Sequence, residues 1–502
     1  MYKYIILLLL GAFVSSCDNF LTKETISDLP ADGFPSNEKD AEGLVAGMYD
    51  AIQTTLETNY FYWGDYRSDA VERNRNNGDL NLFYNTLSPT HATSNWNNIY
   101  KVILSANISI KYLPTLNSGD AASKSYMLAE ALTVRAWMYF YAVRVWGRVP
   151  LITEPYENKE GQQLYYPRAD LDLIYTQIEK DLKQAISLFG VTAPSSCYRV
   201  SRGLASAILT DFYMWRKDYP NAISASDYFV NPATNTYAYA DSKTWKQIFI
   251  SPETSKENIF VLYWDYASDG EQDIVKQLGG GKQSNAQVKI SRAVWNKFVN
   301  RKNWDVRFAL SLDTLHLYNG VGTLEESSYD IINEEMGVAD DYCTKWLELD
   351  PLTGEYSKII ASDANYQIPL YRYSGVMLLR AEAFARRNEG NDLSEAVSIV
   401  NQIRQRFSTE HNLTGGETQE ELIDIIDEER LLELWCEGTR WFDLARRGDL
   451  KEVMDQVFIN ERGIPEGFGD EQYILWPIHQ SAFSANPELL VIRTQVMLKV
   501  KI

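Results

Sequence analysis

The stretch "EERLLELWCEGTRWFDLARRGDL", Glu428 to Leu450, decides how this chain is read. Acids, arginines, two tryptophans and a cysteine crowd into it, as in an active site or in a helix held together by its charges. The apolar residues favour the helix. With the preceding residues included, Leu422, Ile425, Leu432, Trp435, Phe442 and Ala445 alternate steps of three and seven, which marks one apolar face. Glu437 with Arg440 and Asp443 with Arg447 stand at i,i+3 and i,i+4. Opposite charges meet there on a helix surface for roughly 0.2–0.5 kcal/mol each. Gly448, just after two arginines, predicts the helix end. The stretch therefore predicts a packed helix with its tryptophans turned inward, Cys436 buried among them, and no chemistry of its own.

Nothing elsewhere supplies a catalytic pattern. "GGGKQS" lacks the spacing of a phosphate loop, and neither H-E-x-x-H nor G-x-S-x-G occurs. His91, His316, His411 and His479 are scattered, with no i,i+4 pair to place two ligands on one helix face, so no metal site or cofactor is expected. A glycoside hydrolase needs only two carboxylates, and with 68 acidic residues it stays as a distant alternative. The formal charge of −20 argues against nucleic acid, whose phosphates want lysine and arginine. Cys197, Cys343 and Cys436 are odd in number and widely spaced, without a C-x-x-C pair, and read as buried free thiols. Aromatic residues make up 13%, with 32 Tyr and 13 Trp, more than a core needs and suited to gripping something amphipathic.

The N-terminus "MYKYIILLLLGAFVSSC" carries one charge, an apolar run too short to span a bilayer, and small residues ending at Cys17. "VSSC" resembles a bacterial lipobox. Residues 1–16 read as a lipoprotein signal peptide, and Cys17 as the lipidated residue that anchors the chain to a membrane. Residues 17–39, rich in Pro, Asp and Ser, read as its tether.

The body is mainly α-helical. "DAEGLVAGMYDAIQTTL" begins a helix with Leu44, Met48 and Ile52 at four-residue spacing. The segment after Asp120 predicts a long helix whose Met127, Ala131, Val134, Met138, Tyr141 and Val145 form a buried stripe, stopped by Gly147 and Pro150. Residues 203–230 and 374–406 each read as helix, turn, helix, with small residues that permit close approach. They resemble degenerate tetratricopeptide hairpins, or are two unrelated hairpins. Residues 230–365 read as irregular, with short apolar runs between loops, where binding function commonly sits.

Glu429, Arg430, Glu433, Leu434, Glu437, Gly438, Arg440 to Leu444, Arg446 and Gly448 together resemble the C-terminal signature of the SusD/RagB family, outer-membrane nutrient-binding lipoproteins of Bacteroidetes. "AEALTVRAWMYFYAVRVWGRVPLITEP" (129–155), residues 168–186 and "WPI…NPEL" (476–489) match in the same order, although His479 stands where the family usually has Pro. The resemblance implies one SusD-like domain over residues 40–502. Its N-terminal region is about 40–230, its irregular region about 230–365, and its C-terminal region about 300–502. It implies four tetratricopeptide-like helical hairpins beside a loop-rich ligand-binding half with few short strands. It also implies a partner, a SusC-like TonB-dependent outer-membrane transporter. To it the lipid-anchored chain would deliver a glycan captured at the cell surface, without catalysis; peptides are the alternative cargo.

Sugars offer apolar C–H faces ringed by hydroxyls, so a site pairs aromatic platforms with Asp, Asn and Arg. Residues 60–84 supply Tyr66, Asp69, Arg73, Arg75, Asn77 and Tyr84; "YWDY" and "NWDVR" add Trp264 and Trp304. Trp63 and Tyr66 have a competing reading as core residues, and Asp69 as a structural one. Trp96, Tyr100 and Asn107 read as packing.

Overall fold

The computed structural model describes residues 35, 37–73, 78–117, 119–157, 161–190, 196–270, 272–278, 287–312, 343–347, 366–408 and 410–489. Cys17, Arg75 and Asn77 lie outside the described residues, as do the signal peptide and most of the tether.

Helices dominate. In chain order they are α1 (Glu38–Leu56), α2 (Asn59–Gly64), α3 (Leu80–Phe83), α4 (Asn97–Tyr112), α5 (Ala121–Trp146), α6 (Leu171–Phe189), α7 (Arg202–Trp215) and α8 (Tyr219–Ser226). Later come α9 (Arg292–Arg301), α10 (Arg307–Ser311), α11 (Tyr373–Arg387), α12 (Asp392–Gln405), α13 (Gln419–Glu433), α14 (Arg440–Arg447) and α15 (Leu450–Asn460). Among the described residues, four short strands form two antiparallel ribbons: β1 (Val71–Arg73) with β3 (Val288–Ile290), and β2 (Asn258–Leu262) with β4 (Ile368–Arg372).

The helix boundaries follow their signals. Asp120 caps α5 by accepting the Ser123 N–H at 2.9 Å, and Gly147, at φ +73°, ends it in a conformation that costs glycine no Cβ clash. From Ala129 to Trp146 every side chain of α5 is buried, so the expected stripe is in fact the whole circumference, as in a helix at the centre of a large protein. Arg135 on this helix ties it to α6 through two hydrogen bonds to Asp181, at 2.7 and 2.8 Å. The helices pack as successive pairs: α1 on α4, α5 on α6, α7 on α8, α11 on α12, with α8 against α11 joining the last two. In α7–α8 Pro220 sits in the first turn of α8, where its missing N–H goes unnoticed. Asn388 closes α11 in the left-handed region, and a Thr418–Glu421 capping box opens α13.

The opening stretch departs from its expectation. It is two helices, α13 and α14, separated by a turn over 434–439 in which Cys436 (φ +65°) and Gly438 (φ +76°) take left-handed backbone. Gly438 cannot carry a side chain: a Cβ there would lie 2.6 Å from the Tyr60 carbonyl oxygen, and one on Gly64 would lie 1.9 Å from that of Gly438. The turn is thus pressed onto α2, where Asp65 accepts the Gly438 and Arg440 N–H groups, each at 2.8 Å. Trp435 and Trp441 face inward, as expected.

The charges are not helix-surface pairs either. Glu429, Glu433, Glu437, Arg440, Asp443 and Arg446 are all buried, and most of their partners are distant in sequence. Glu429 accepts from Arg301, Arg307 and Arg404 at 2.6–2.7 Å. Glu433 accepts from Arg307, Arg372 and Arg406 at 2.7–3.2 Å. Glu437 pairs with Arg372 (2.7 Å) and Lys345 (2.6 Å) rather than Arg440, which instead grips Asp69 and Asp427 at 2.8 Å. Arg447 pairs with Asp427 and Asp449, not Asp443. Surrounding guanidinium groups hold the Glu429 and Glu433 carboxyls well below the usual carboxylate range, even against burial.

Candidate functional site

With the signature charges committed to the interior, a band of exposed and half-buried polar and aromatic side chains is the candidate for ligand contacts. It begins where residues 263–270 and 272–278 run beside residues 53–62. Gln53 on α1 donates to the Tyr263 carbonyl and to Asp269, each at 2.9 Å, and the Tyr62 hydroxyl donates to Gln277 at 2.6 Å. Tyr263 is 51% exposed and meets the Tyr198 ring edge-on at 5.1 Å, while the Tyr198 hydroxyl donates to Glu253 at 3.0 Å. Two phenol rings set at an angle, with carboxylates and an amide beside them, are the elements a sugar needs: an apolar platform and acceptors for hydroxyls.

The band continues along the β1–β3 ribbon. Glu72 stands opposite Lys289 with 3.6 Å between charges, and the half-buried Arg73 donates to the Gly78 carbonyl at 3.4 Å. The chain returns into α3, capped by Asp79, whose side chain accepts from Asn81 and Leu82. Leu80 is 52% exposed and Tyr84 half-buried, its ring edge-on to Phe83 at 5.1 Å. Beneath them Glu461 follows α15. Burial, together with the Glu72 carboxylate, pushes its carboxyl up to about 7.

The sequence-selected residues divide among three places. Arg73 and Tyr84 lie in the band. Tyr66, Asp69 and Trp264 belong to its foundation, with side chains in the interior. The Tyr66 hydroxyl accepts the Asp79 N–H at 2.6 Å and so sets the start of α3. Asp69 is bound on both oxygens by Arg440, at 2.8 and 2.9 Å. Trp264 donates its indole N–H to the Gly270 carbonyl at 2.9 Å, and its backbone is held by Gln367. Trp304 stands apart, beyond the far end of α9 from the ribbon. Its ring stacks on the exposed His411 at 4.3 Å and 6°, with Arg301 and Arg404 guanidinium carbons 5.4 and 5.9 Å from its centre. That indole is already engaged by the protein.

Sequence reasoning passed over Tyr263, Tyr198, Gln53 and Glu461. For Tyr263 the alternation that would have marked it is missing, because the adjoining strand β2 is buried at all five positions. Trp96, Tyr100 and Asn107 do pack: Tyr100 and Asn107 donate to the carbonyls of Pro150 and Ile152. His479 caps the short helix that follows it, its ring nitrogen accepting from Ser481. Among the described residues no group of three or more His, Cys, Asp or Glu could hold a metal ion, and no helix is long and apolar enough to cross a membrane.

Residues 214–491 match the profile described as the SusD family, and residues 19–214 match one described as starch-binding associating with outer membrane. SusD-like protein P38 of Formosa agariphila is 28% identical, over 97% of each chain. A crystal structure of a SusD homolog from Bacteroides thetaiotaomicron superposes with a TM-score of 0.73 at 21% identity, over 91% of this chain and 97% of that one. A laminarin-binding SusD-like protein superposes with a TM-score of 0.69 at 22% identity, over 90% and 98%. A helical stack locked by a buried ion network at the signature stretch, and a profile match over more than half its length, identify this chain as a member of the SusD family.

Proposed function

We propose that this chain is a cell-surface glycan-binding lipoprotein, anchored through Cys17, that captures an oligosaccharide and passes it to a SusC-like TonB-dependent transporter. The observation that carries the reading is the corner made by the exposed Tyr263 and the half-buried Tyr198, flanked by Gln53, Asp269 and Glu253, on a scaffold of this family. The corner offers rings for sugar C–H faces and fixed polar atoms for hydroxyls. Such exchange of water for protein gives modest net affinity per contact, so several contacts along the band are needed. In this reading Arg73, Tyr84 and Tyr263 meet the ligand, and Arg75 and Asn77 join them. Tyr66, Asp69 and Trp264 hold those residues in place, and Trp304 forms a separate aromatic contact.

Capture and delivery require no bond to be made or broken, and binding without catalysis is the proposed activity. Calorimetry of the mature chain against soluble polysaccharides and against peptide mixtures tests it. Saturable heat with a glycan, and no reducing ends released, is expected. Binding of peptides alone would transfer the same role to a peptide cargo.

A further inference from the structure

At the Tyr263–Tyr198 corner the hydrogen-bond donors are committed to the protein and the acceptors are left open. The Gln53 side-chain nitrogen offers its two N–H groups to the Tyr263 carbonyl and to Asp269, each at 2.9 Å. The Tyr198 hydroxyl gives its proton to Glu253 at 3.0 Å. Asp265 caps the single turn Tyr266–Asp269, accepting from the Ala267 N–H and the Ser268 hydroxyl, and its own N–H goes to the Asp269 oxygen that Gln53 also meets. The second oxygens of Glu253 and Asp269 meet no donor among the described residues, and both residues are exposed. No cation offsets these charges. Arg199, beside Tyr198, is held by Glu130 at 2.8 and 2.9 Å. Among the described residues no lysine or arginine stands within ion-pair distance of Glu253, Asp265 or Asp269. The ribbon end of the band differs, because there Lys289 faces Glu72 and Arg73 stands beside them.

We infer that this corner selects uncharged, hydroxyl-rich sugar residues and rejects uronate and sulfated ones, with Glu253 and Asp269 as the specificity-determining residues. The inference rests on the glycan reading above and names the class of sugar that the corner takes. Hydroxyls of a neutral sugar donate to the open carboxylate oxygens while a C–H face of the ring lies on Tyr263. A ligand carboxylate or sulfate has no proton to give, finds the Gln53 and Tyr198 donors already engaged, and meets like charge. Such a juxtaposition discriminates between ligands by repelling the wrong one, without adding attraction to the right one. In a solvent-facing site each ligand charge placed beside these carboxylates should weaken binding roughly tenfold at low ionic strength, and less as salt screens it.

Calorimetry of the mature chain against matched polysaccharides tests it. Laminarin, dextran and galactan are each titrated beside their sulfated derivatives, and methyl-esterified pectin beside the de-esterified polymer. The neutral member of a pair is expected to bind about tenfold or more tightly at low salt, and the gap to narrow at about 1 M sodium chloride. The formal charge of −20 disfavours any anion, so a double variant separates the corner from the rest of the chain. Glu253→Gln/Asp269→Asn keeps both shapes, removes two charges, and should narrow the gap by raising affinity for the charged member. A charged member that binds the wild type as tightly as its neutral twin overturns the inference and leaves glycan binding standing. A gap unmoved in the folded double variant does the same, and the wild-type comparison decides alone should that variant not fold. No heat with any polysaccharide of either series overturns the glycan reading itself, and the inference falls with it.

Discussion

The buried network under α13 and α14 and the exposed band from Tyr263 to Tyr84 are built from the same residue types, and they do opposite work. In the network, Glu429, Glu433 and Glu437 are encircled by Arg301, Arg307, Arg372, Arg404, Arg406 and Lys345, so the carboxylate oxygens are spent on the protein. In the band, Tyr263 and Leu80 expose half their surface. A polar side chain with every partner supplied from within specifies a fold, while one that still exchanges with solvent is free to meet a ligand. The stretch that looks most chemical in this chain is therefore its most architectural one.

Breaking the network should give the largest effect. Glu433→Ala leaves Arg307, Arg372 and Arg406 short of a carboxylate in a sealed site. A loss of about 3–5 kcal/mol in denaturant unfolding is expected. Gly64→Ala drives a methyl into the Gly438 carbonyl, and about 1–3 kcal/mol or more should follow in the same measurement.

A smaller, pH-dependent effect sharpens the contrast on the band side. Glu461 holds its proton up to about 7 when folded, well above its unfolded value, so folding takes up a proton between the two. Its contribution is present below the unfolded value and is lost as pH rises through about 7. From pH 5 to pH 8 the wild-type melting temperature should fall more steeply than that of Glu461→Gln; parallel curves would remove Glu461 from the account. The smallest effect belongs to an exposed helix pair of the kind the sequence suggested. Lys183→Ala, losing its 2.6 Å contact to Glu179, should cost no more than about 0.5 kcal/mol.

Much of the scaffold was legible in the chain. Asp120, Gly147 and Gly448 mark helix ends because capping is local chemistry that neighbours in sequence decide. The inward tryptophans followed from periodicity. The partners of the signature charges did not: Arg301 and Arg307 come from residues more than 120 positions away, and spacing along a helix shows only neighbours one turn apart. Local reading therefore paired Glu437 with Arg440 and Asp443 with Arg447, where the fold had longer-range contacts to offer. The band was half legible. Composition pointed to residues 60–84 and 263–266 but not to which side chains face out. The chain from Asn59 to Ala70 folds as a helix and turn beneath residue 438, which takes Tyr66 and Asp69 inside. A fully buried β2 removes the alternation that would separate Tyr263 from Trp264.

The central claim is that the signature stretch builds the protein while the band binds. It is tested most directly by titrating one bound glycan, found in the panel, into the wild type and the Tyr84→Ala/Tyr263→Ala double variant by calorimetry. Melting curves of both proteins should accompany the titrations. An affinity loss of tenfold or more, about 1.4 kcal/mol, with an unchanged melting temperature is the predicted result. Equal affinity in the two folded proteins would contradict the account and move the ligand off the band.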